Sequence, residues 1–291
     1  MYPSRFRYEA PRELTEAIKL LHEGQGEAKV LAGGQSLVPL LKLRFAAPEL
    51  LVDINNLPGL DYHRVEPDGT IRVGALCRHA TLERSGSLAQ RQPTMAAAAP
   101  LIADPLVRNR GTLVGSLCHA DPQGDWAAAV TALDGRVVAA GPDGVREIPI
   151  RQFATGPFEN ALRYDEIALE AVIPAPKGTP AGGYLKLERR VGDFATAGVA
   201  VAVELSGGLV TRAGIALCGV GPSTIAALDA EQALAGQALT AAAIERAGDL
   251  AAQAAQPRRD HRGSVEYKRH VIRTFVVRIL RDIAGAAERA A

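Results

Sequence analysis

The 291-residue sequence has few cysteines: Cys77, Cys118 and Cys218 are scattered, odd in number and show no Cys-x-x-Cys spacing. That pattern argues against a disulfide framework and against an iron–sulfur cluster held by this chain alone, and leaves buried free thiols as the expectation. Neither sign of charge is in excess, since 33 Lys and Arg face 32 Asp and Glu for a net charge of +1. Nucleic acid and anionic membrane surfaces are therefore poor partners, and local clusters such as Arg189-Arg190 and Arg258-Arg259 read as solvated faces. No apolar run approaches the ~20 residues a membrane helix needs. The opening MYPSRFRYEA lacks the apolar stretch of a secretory signal, so a cytoplasmic location is expected. Aromatic residues make up 4% of the chain, and the single tryptophan, Trp126, is expected in the core at the start of a helix.

What is present is a 47% hydrophobic share, enough to close the core of one large domain or two modest ones. Near the N-terminus, FRYEAPRELTEAIKLLHEGQGEAKVLAGGQSL reads as a strand, a helix from about Pro11 to His22, and a second strand ending at Leu31, a βαβ unit. Leu37 to Leu43 forms a short helix with Pro39 in its first turn, where a missing N–H does no harm, and ELLVDI adds a buried strand. Thr70 to Leu76 is a strand, and ATLERS opens a helix with Thr81 as N-cap. PTMAAAAPLIA is a short buried helix, and another starts at about Asp125. GRVVAAGPDGVREIPI is a β-hairpin and EIALEAVIPAP a strand that stops at its prolines.

The Pro/Gly-rich PAPKGTPAGG is the candidate domain boundary, dividing residues 1–177 (subdomains about 1–57 and 58–177) from 178–291. Beyond it YLKLERR, TAGVAVAVEL and LVTRAGIALCGV read as three antiparallel strands, the last two joined through Ser206-Gly207-Gly208. Helices from about Asp229 to Gln253 and from Val265 to Ala287 complete a small α+β domain. In the last helix Val271, Phe275, Ile279 and Ile283, flanked by Ile272 and Val276, form a core stripe.

Two loops carry the chemistry. In Ala32-Gly33-Gly34-Gln35-Ser36, paired glycines let successive amides converge on an anion and Ser36 adds a hydroxyl, although a plain β-to-α turn needs the same residues. The Walker A and Rossmann spacings are both absent. The stretch Thr112 to Asp125 repeats the logic with a hydroxyl, a glycine, a serine and then an acid. Two such loops could grip opposite sides of one extended dinucleotide, with Asp125 either accepting from a ribose hydroxyl or capping its helix. Cys118-His119 lacks the further ligands of a metal site.

AGGQSLVPLLKLR, RNRGTLVGSLCHADPQGDW, DEIALEAVIPAP and KLERRVGDFATAGVAV occur here in the order and spacing of the FAD-binding medium subunits of molybdenum hydroxylases. The chain resembles that family over nearly its whole length, most closely the carbon monoxide dehydrogenase medium chains, with xanthine dehydrogenase flavin domains more distant. The resemblance implies an α+β fold: an FAD-binding PCMH-type (vanillyl-alcohol-oxidase-type) domain of two α/β subdomains, followed by a smaller C-terminal domain like that of the CO dehydrogenase flavoproteins. It implies that Ala32, Gly33, Gly34, Gln35 and Ser36 bind the FAD pyrophosphate, with Thr112, Gly115 and Ser116 contributing from the second loop. Asp125 would hold the adenosine end, Ile102 and His119 would line the cofactor, Ala168 would touch it, and Lys186 and Phe194 would lie near the flavin. The family's second loop usually reads Thr-x-Gly-Gly, so Val114 puts a Cβ where a glycine is usual.

By the same resemblance the chain is an electron-transfer subunit with no catalytic residue for the substrate. A large molybdopterin-binding subunit would oxidise the substrate and a small subunit with two [2Fe–2S] clusters would relay electrons to this FAD. An external acceptor would collect them, in a dimer of heterotrimers. The alternatives are a stand-alone FAD-dependent oxidoreductase and a nucleotide-binding module that has lost its flavin, the latter hinted at by Val114 alone.

Overall fold

The computed structural model describes residues 2–290. Strands Arg7–Glu9, Leu50–Asp53 and Ala28–Leu31 form a parallel sheet in that spatial order, so the last strand in the chain to join lies in the middle. Its Leu50, Leu51 and Val52 are buried in succession, as a parallel strand covered on both faces requires. The connecting helix runs Leu14–Glu23, later than expected, because Glu13 is still extended and serves as the N-cap residue. Helix Leu37–Leu43 has the expected bounds and ends where Arg44 turns left-handed at φ 60°.

A second sheet is antiparallel, ordered His63–Val65, Ile71–Gly74, Ile167–Ile173, Arg136–Gly141, Gly144–Pro149. The pairing of Ile167–Ile173 with Arg136–Gly141 slips between Ala168 and Glu170, a bulge that leaves the Leu169 carbonyl to accept the Ala75 amide. Thr81 is not an N-cap. The helix begins at His79, because Arg78 is held extended by a bridge to Thr112.

The strand expected to begin at Tyr184 begins five residues earlier, inside the Pro/Gly-rich boundary segment. Thr179–Leu187 is a continuous strand, and it pairs with Ala197–Ser206, which pairs with Leu209–Cys218. A short fourth strand, Ile225–Ala226, extends the sheet beyond the three expected. Alternation along AGVAVAVEL places Ala200 and Ala202 in the core shared with the N-terminal part, and Val199, Val201 and Val203 in the core under the C-terminal helices. Small side chains on the first face let helices Pro93–Ala98 and Asp125–Ala132 lie close to the strands, and Thr94 Oγ1 donates to the Val201 carbonyl at 2.7 Å.

The helix expected over 229–253 is two, Leu228–Leu234 and Ala241–Ala254. Gly236 breaks it at φ 74°, and the Thr240 hydroxyl caps the second helix by accepting the Ala243 amide. Helix Val265–Ala290 closes the domain. Val271, Ile272, Val276, Ile279 and Ile283 are buried as the stripe predicts, while Phe275 is only partly so and Val277 and Leu280 complete the face.

Candidate functional site

A cleft of about 1050 Å³ opens where the parallel sheet, the antiparallel sheet and the Gly192–Phe194 loop converge. It is slightly larger than the usual range for a drug-sized ligand, which suits an elongated dinucleotide. Ala32, Gly33, Gly34, Gln35, Ser36, Ile102, Thr112, Gly115, Ser116, His119, Asp125, Ala168 and Phe194 all line it. Lys186 does not.

The first glycine loop leaves the strand Ala28–Leu31 and enters helix Leu37–Leu43. The amides of Gly33, Gly34, Gln35 and Ser36 have no hydrogen-bond acceptor among the described residues. Four donors left over at a helix start, on the wall of a cleft, are the equipment of an anion site. The loop's shape is set from within the chain. Gly34 sits at φ 75°, and a Cβ on Gly33 would stand 2.2 Å from the Arg110 carbonyl oxygen and 2.8 Å from Gly111 Cα. Gly33 is bare because the second loop presses on it.

Two residues that sequence reasoning passed over tie the loops together. Arg78 donates to the Arg110 carbonyl at 2.8 Å and to Asn55 Oδ1 at 2.6 Å, and Asn55 Nδ2 donates to the Ala32 carbonyl at 2.9 Å. The signal available was only an Asn in the turn after strand Leu50–Asp53 and an Arg just before helix His79–Glu83.

In the second loop the Thr112 hydroxyl accepts the Gly115 amide at 3.0 Å and so caps helix Leu113–His119, leaving its own proton free to donate. Val114 is 2% exposed and packs into the core, although it also lines the cleft. His119 packs against Phe158 at 5.2 Å between ring centroids, and burial lowers its pKa although Asp121 lies 4.0 Å away. Cys77 and Cys218 are buried free thiols, as expected, whereas Cys118 is only partly so, and burial pushes each thiol up to about 12.

Asp125 is not the N-cap, a position taken by Gly124. Its carboxylate accepts from the Tyr184 hydroxyl at 2.5 Å and from Lys186 Nζ at 3.3 Å. Burial raises its pKa against the pull of Lys186 and Tyr184. Lys186, 1% exposed in its side chain, stands behind the cleft wall and also donates to the carbonyls of Leu101 and Asp193. It thereby braces the loop carrying Phe194, a residue that is 51% exposed and whose carbonyl Arg262 Nη1 holds at 2.9 Å.

Glu166 closes another side of the cleft. Arg146 binds both of its oxygens at 2.7 and 2.8 Å and the Arg163 amide donates at 2.7 Å. Arg146 first, then the Arg163 amide, hold the carboxyl at about 2, down from 4.5. Because its folded pKa is depressed, the stabilisation is complete above 4.5 and drains away as pH falls toward 2. With Arg146 partly screened by solvent, this is on the order of 2 kcal/mol. Urea midpoints from pH 6 to pH 3 should fall more steeply for the wild type than for Glu166→Gln, and parallel curves would remove Glu166 from that role.

A cleft walled by two facing glycine loops, with unpartnered amides at a helix start, is built for an elongated anionic ligand such as a dinucleotide. The FAD binding domain in molybdopterin dehydrogenase matches residues 4–176 and the CO dehydrogenase flavoprotein C-terminal domain matches residues 183–283. The chain belongs to the FAD-binding medium subunits of the molybdenum hydroxylases, which are oxidoreductases. It is 40% identical over 280 residues to the carbon monoxide dehydrogenase medium chain of Hydrogenophaga pseudoflava, covering 96% of this chain and 97% of that one. It is also 40% identical over 282 residues to the 6-hydroxypseudooxynicotine dehydrogenase complex subunit alpha of Paenarthrobacter nicotinovorans, covering 96% and 95%. The solved carbon monoxide dehydrogenase of H. pseudoflava superposes with a TM-score of 0.92 at 42% identity, covering 97% of this chain and 98% of that one. No helix among the described residues is long and apolar enough to cross a membrane.

Proposed function

We propose that this chain holds one FAD non-covalently in the cleft and passes electrons through it, from an iron–sulfur partner to an external acceptor. The partners are a large molybdopterin-binding subunit, where substrate is oxidised, and a small subunit with two [2Fe–2S] clusters, assembled as a dimer of heterotrimers in the cytoplasm. The observation that carries this reading is the row of four unpartnered amides from Gly33 to Ser36, facing Thr112–Ser116 across one cleft. Bound FAD supplies a centre that accepts and releases electrons one or two at a time.

The chain's own residues bind and orient. Gly33 to Ser36 and the Thr112 hydroxyl donate to the pyrophosphate, and Ile102, Ala168 and Phe194 provide apolar walls. Lys186 joins the Asp125 carboxylate to the Asp193 carbonyl beside Phe194, so Asp125 would meet FAD at the Phe194 end of the cleft rather than at the adenosine end expected from the sequence, with Tyr184 and Lys186 fixing its carboxylate. Val114 does not favour a module that has lost its flavin, since the core takes up its side chain.

Titration of the purified chain with FAD, followed by quenching of flavin fluorescence, should give one site per chain with micromolar or tighter affinity. Co-expression with candidate large and small subunits should recover a complex that reduces an artificial acceptor. A chain that takes up no FAD, or that oxidises substrate by itself, would overturn the reading.

A further inference from the structure

His79 opens the helix His79–Glu83 and lies on the cleft wall beside Gly111, between the two loops. Its ring is fixed from behind: Trp126 Nε1 donates to His79 Nδ1 at 2.9 Å. Indole N–H can only donate, so Nδ1 is the acceptor nitrogen and a neutral His79 carries its proton on Nε2. The ring is neutral, because burial above all, and then Arg108 and Arg78, pull the imidazole down to about 4.

That Nε2–H has no acceptor among the described residues, although His79 is only 4% exposed. His79 lines the cleft, and Nε2 is the ring nitrogen that Trp126 leaves untaken. Gly111 keeps the approach clear, since a Cβ there would stand 2.7 Å from His79 Nε2. Gly111 is also the residue against which Gly33 packs, so the donor is beside the junction of the loops. A buried donor without an acceptor is costly, and a ligand that supplies one is bound more tightly for it.

We infer that His79 is a cofactor-binding residue, donating from Nε2–H to a pyrophosphate oxygen of FAD at the junction of the two glycine loops. This rests on the FAD reading above. Trp126 is then a positioning residue, selecting the tautomer that can donate.

Two substitutions separate binding from packing. His79→Asn keeps an acceptor where Nδ1 was, for Trp126, and removes the cleft donor. His79→Gln keeps a donor where Nε2 was and abandons Trp126. FAD titrations of the full chain should show affinity weakened roughly 10- to 100-fold in His79→Asn. In His79→Gln it should stay within about threefold of wild type, although that variant is the less stable in urea. A purely structural role gives the opposite order, and that order, or His79→Asn within about threefold of wild type, would overturn the assignment.

Competition with ADP and with riboflavin locates the contact. A loss in His79→Asn seen with ADP supports the pyrophosphate, and a loss seen only with riboflavin overturns it. In wild-type chain labelled with ¹⁵N-histidine, FAD should move one Nε2–H resonance downfield and slow its exchange. An unmoved resonance in a chain that does bind FAD counts against the inference alone. A wild type that binds no FAD removes the cofactor reading and this donor with it.

Discussion

Gly33→Val is expected to weaken FAD binding at least ~100-fold and to lower the stability of the cofactor-free chain by about 1–3 kcal/mol. The two effects come from one contact. A side chain at Gly33 meets the Arg110 carbonyl at 2.2 Å and its carbon at 2.8 Å, and backbone cannot rotate away as a side chain can. The loops must separate, which pulls Arg78 and Asn55 out of register and widens the junction at Gly111. If the valine merely stood in the path of phosphate, affinity would fall while the urea midpoint of the cofactor-free chain stayed put. FAD titration and urea unfolding of the same sample therefore decide which account of Gly33 holds.

The second large effect lies away from the cleft. Gly214→Val should destabilise the chain by about 3 kcal/mol, because a Cβ at Gly214 would stand 1.8 Å from the Ala132 carbonyl oxygen. Helix Asp125–Ala132 lies on strand Leu209–Cys218 at that point, and this helix begins with the carboxylate that Tyr184 and Lys186 fix. FAD affinity should fall along with stability, since the contact that is lost positions Asp125. Gly86→Ala is the control: nothing lies within 4 Å of the added methyl, and its urea midpoint should be unchanged or slightly raised. Equal midpoints for the two variants would show that the sheet face tolerates bulk there.

Local pattern was enough for elements whose neighbours lie close in sequence. Leu37–Leu43, the strand ending at Leu31 and the Ser206–Leu209 hairpin all follow from periodicity and turn chemistry. The hairpin turn needs positive φ at both Gly207 and Gly208, and the two glycines announce it. Pattern failed where a distant contact set the boundary. His79 rather than Thr81 starts its helix because Arg78 is paired with Thr112, and Leu228–Leu234 ends early because the Gly236 amide donates to the carbonyl of Val210 on the adjacent strand.

By itself the sequence determined the two glycine loops, their hydroxyl partners, the family to which their order and spacing belong, and the alternation of Ala and Val in the central strand. Each is a matter of residue type at short spacing, which a linear chain displays. Tertiary structure alone decided why Gly33 is glycine, which groups occupy the carboxylate of Asp125, and that Lys186 braces the cleft wall from behind. It also decided that His79 offers a neutral donor to the cleft. Those properties depend on Arg110, Tyr184 and Trp126, residues 47 to 77 positions away along the chain and within hydrogen-bonding or van der Waals reach in space. Packing density makes such contacts decisive, since a displacement of one methyl at any of them changes which groups can meet.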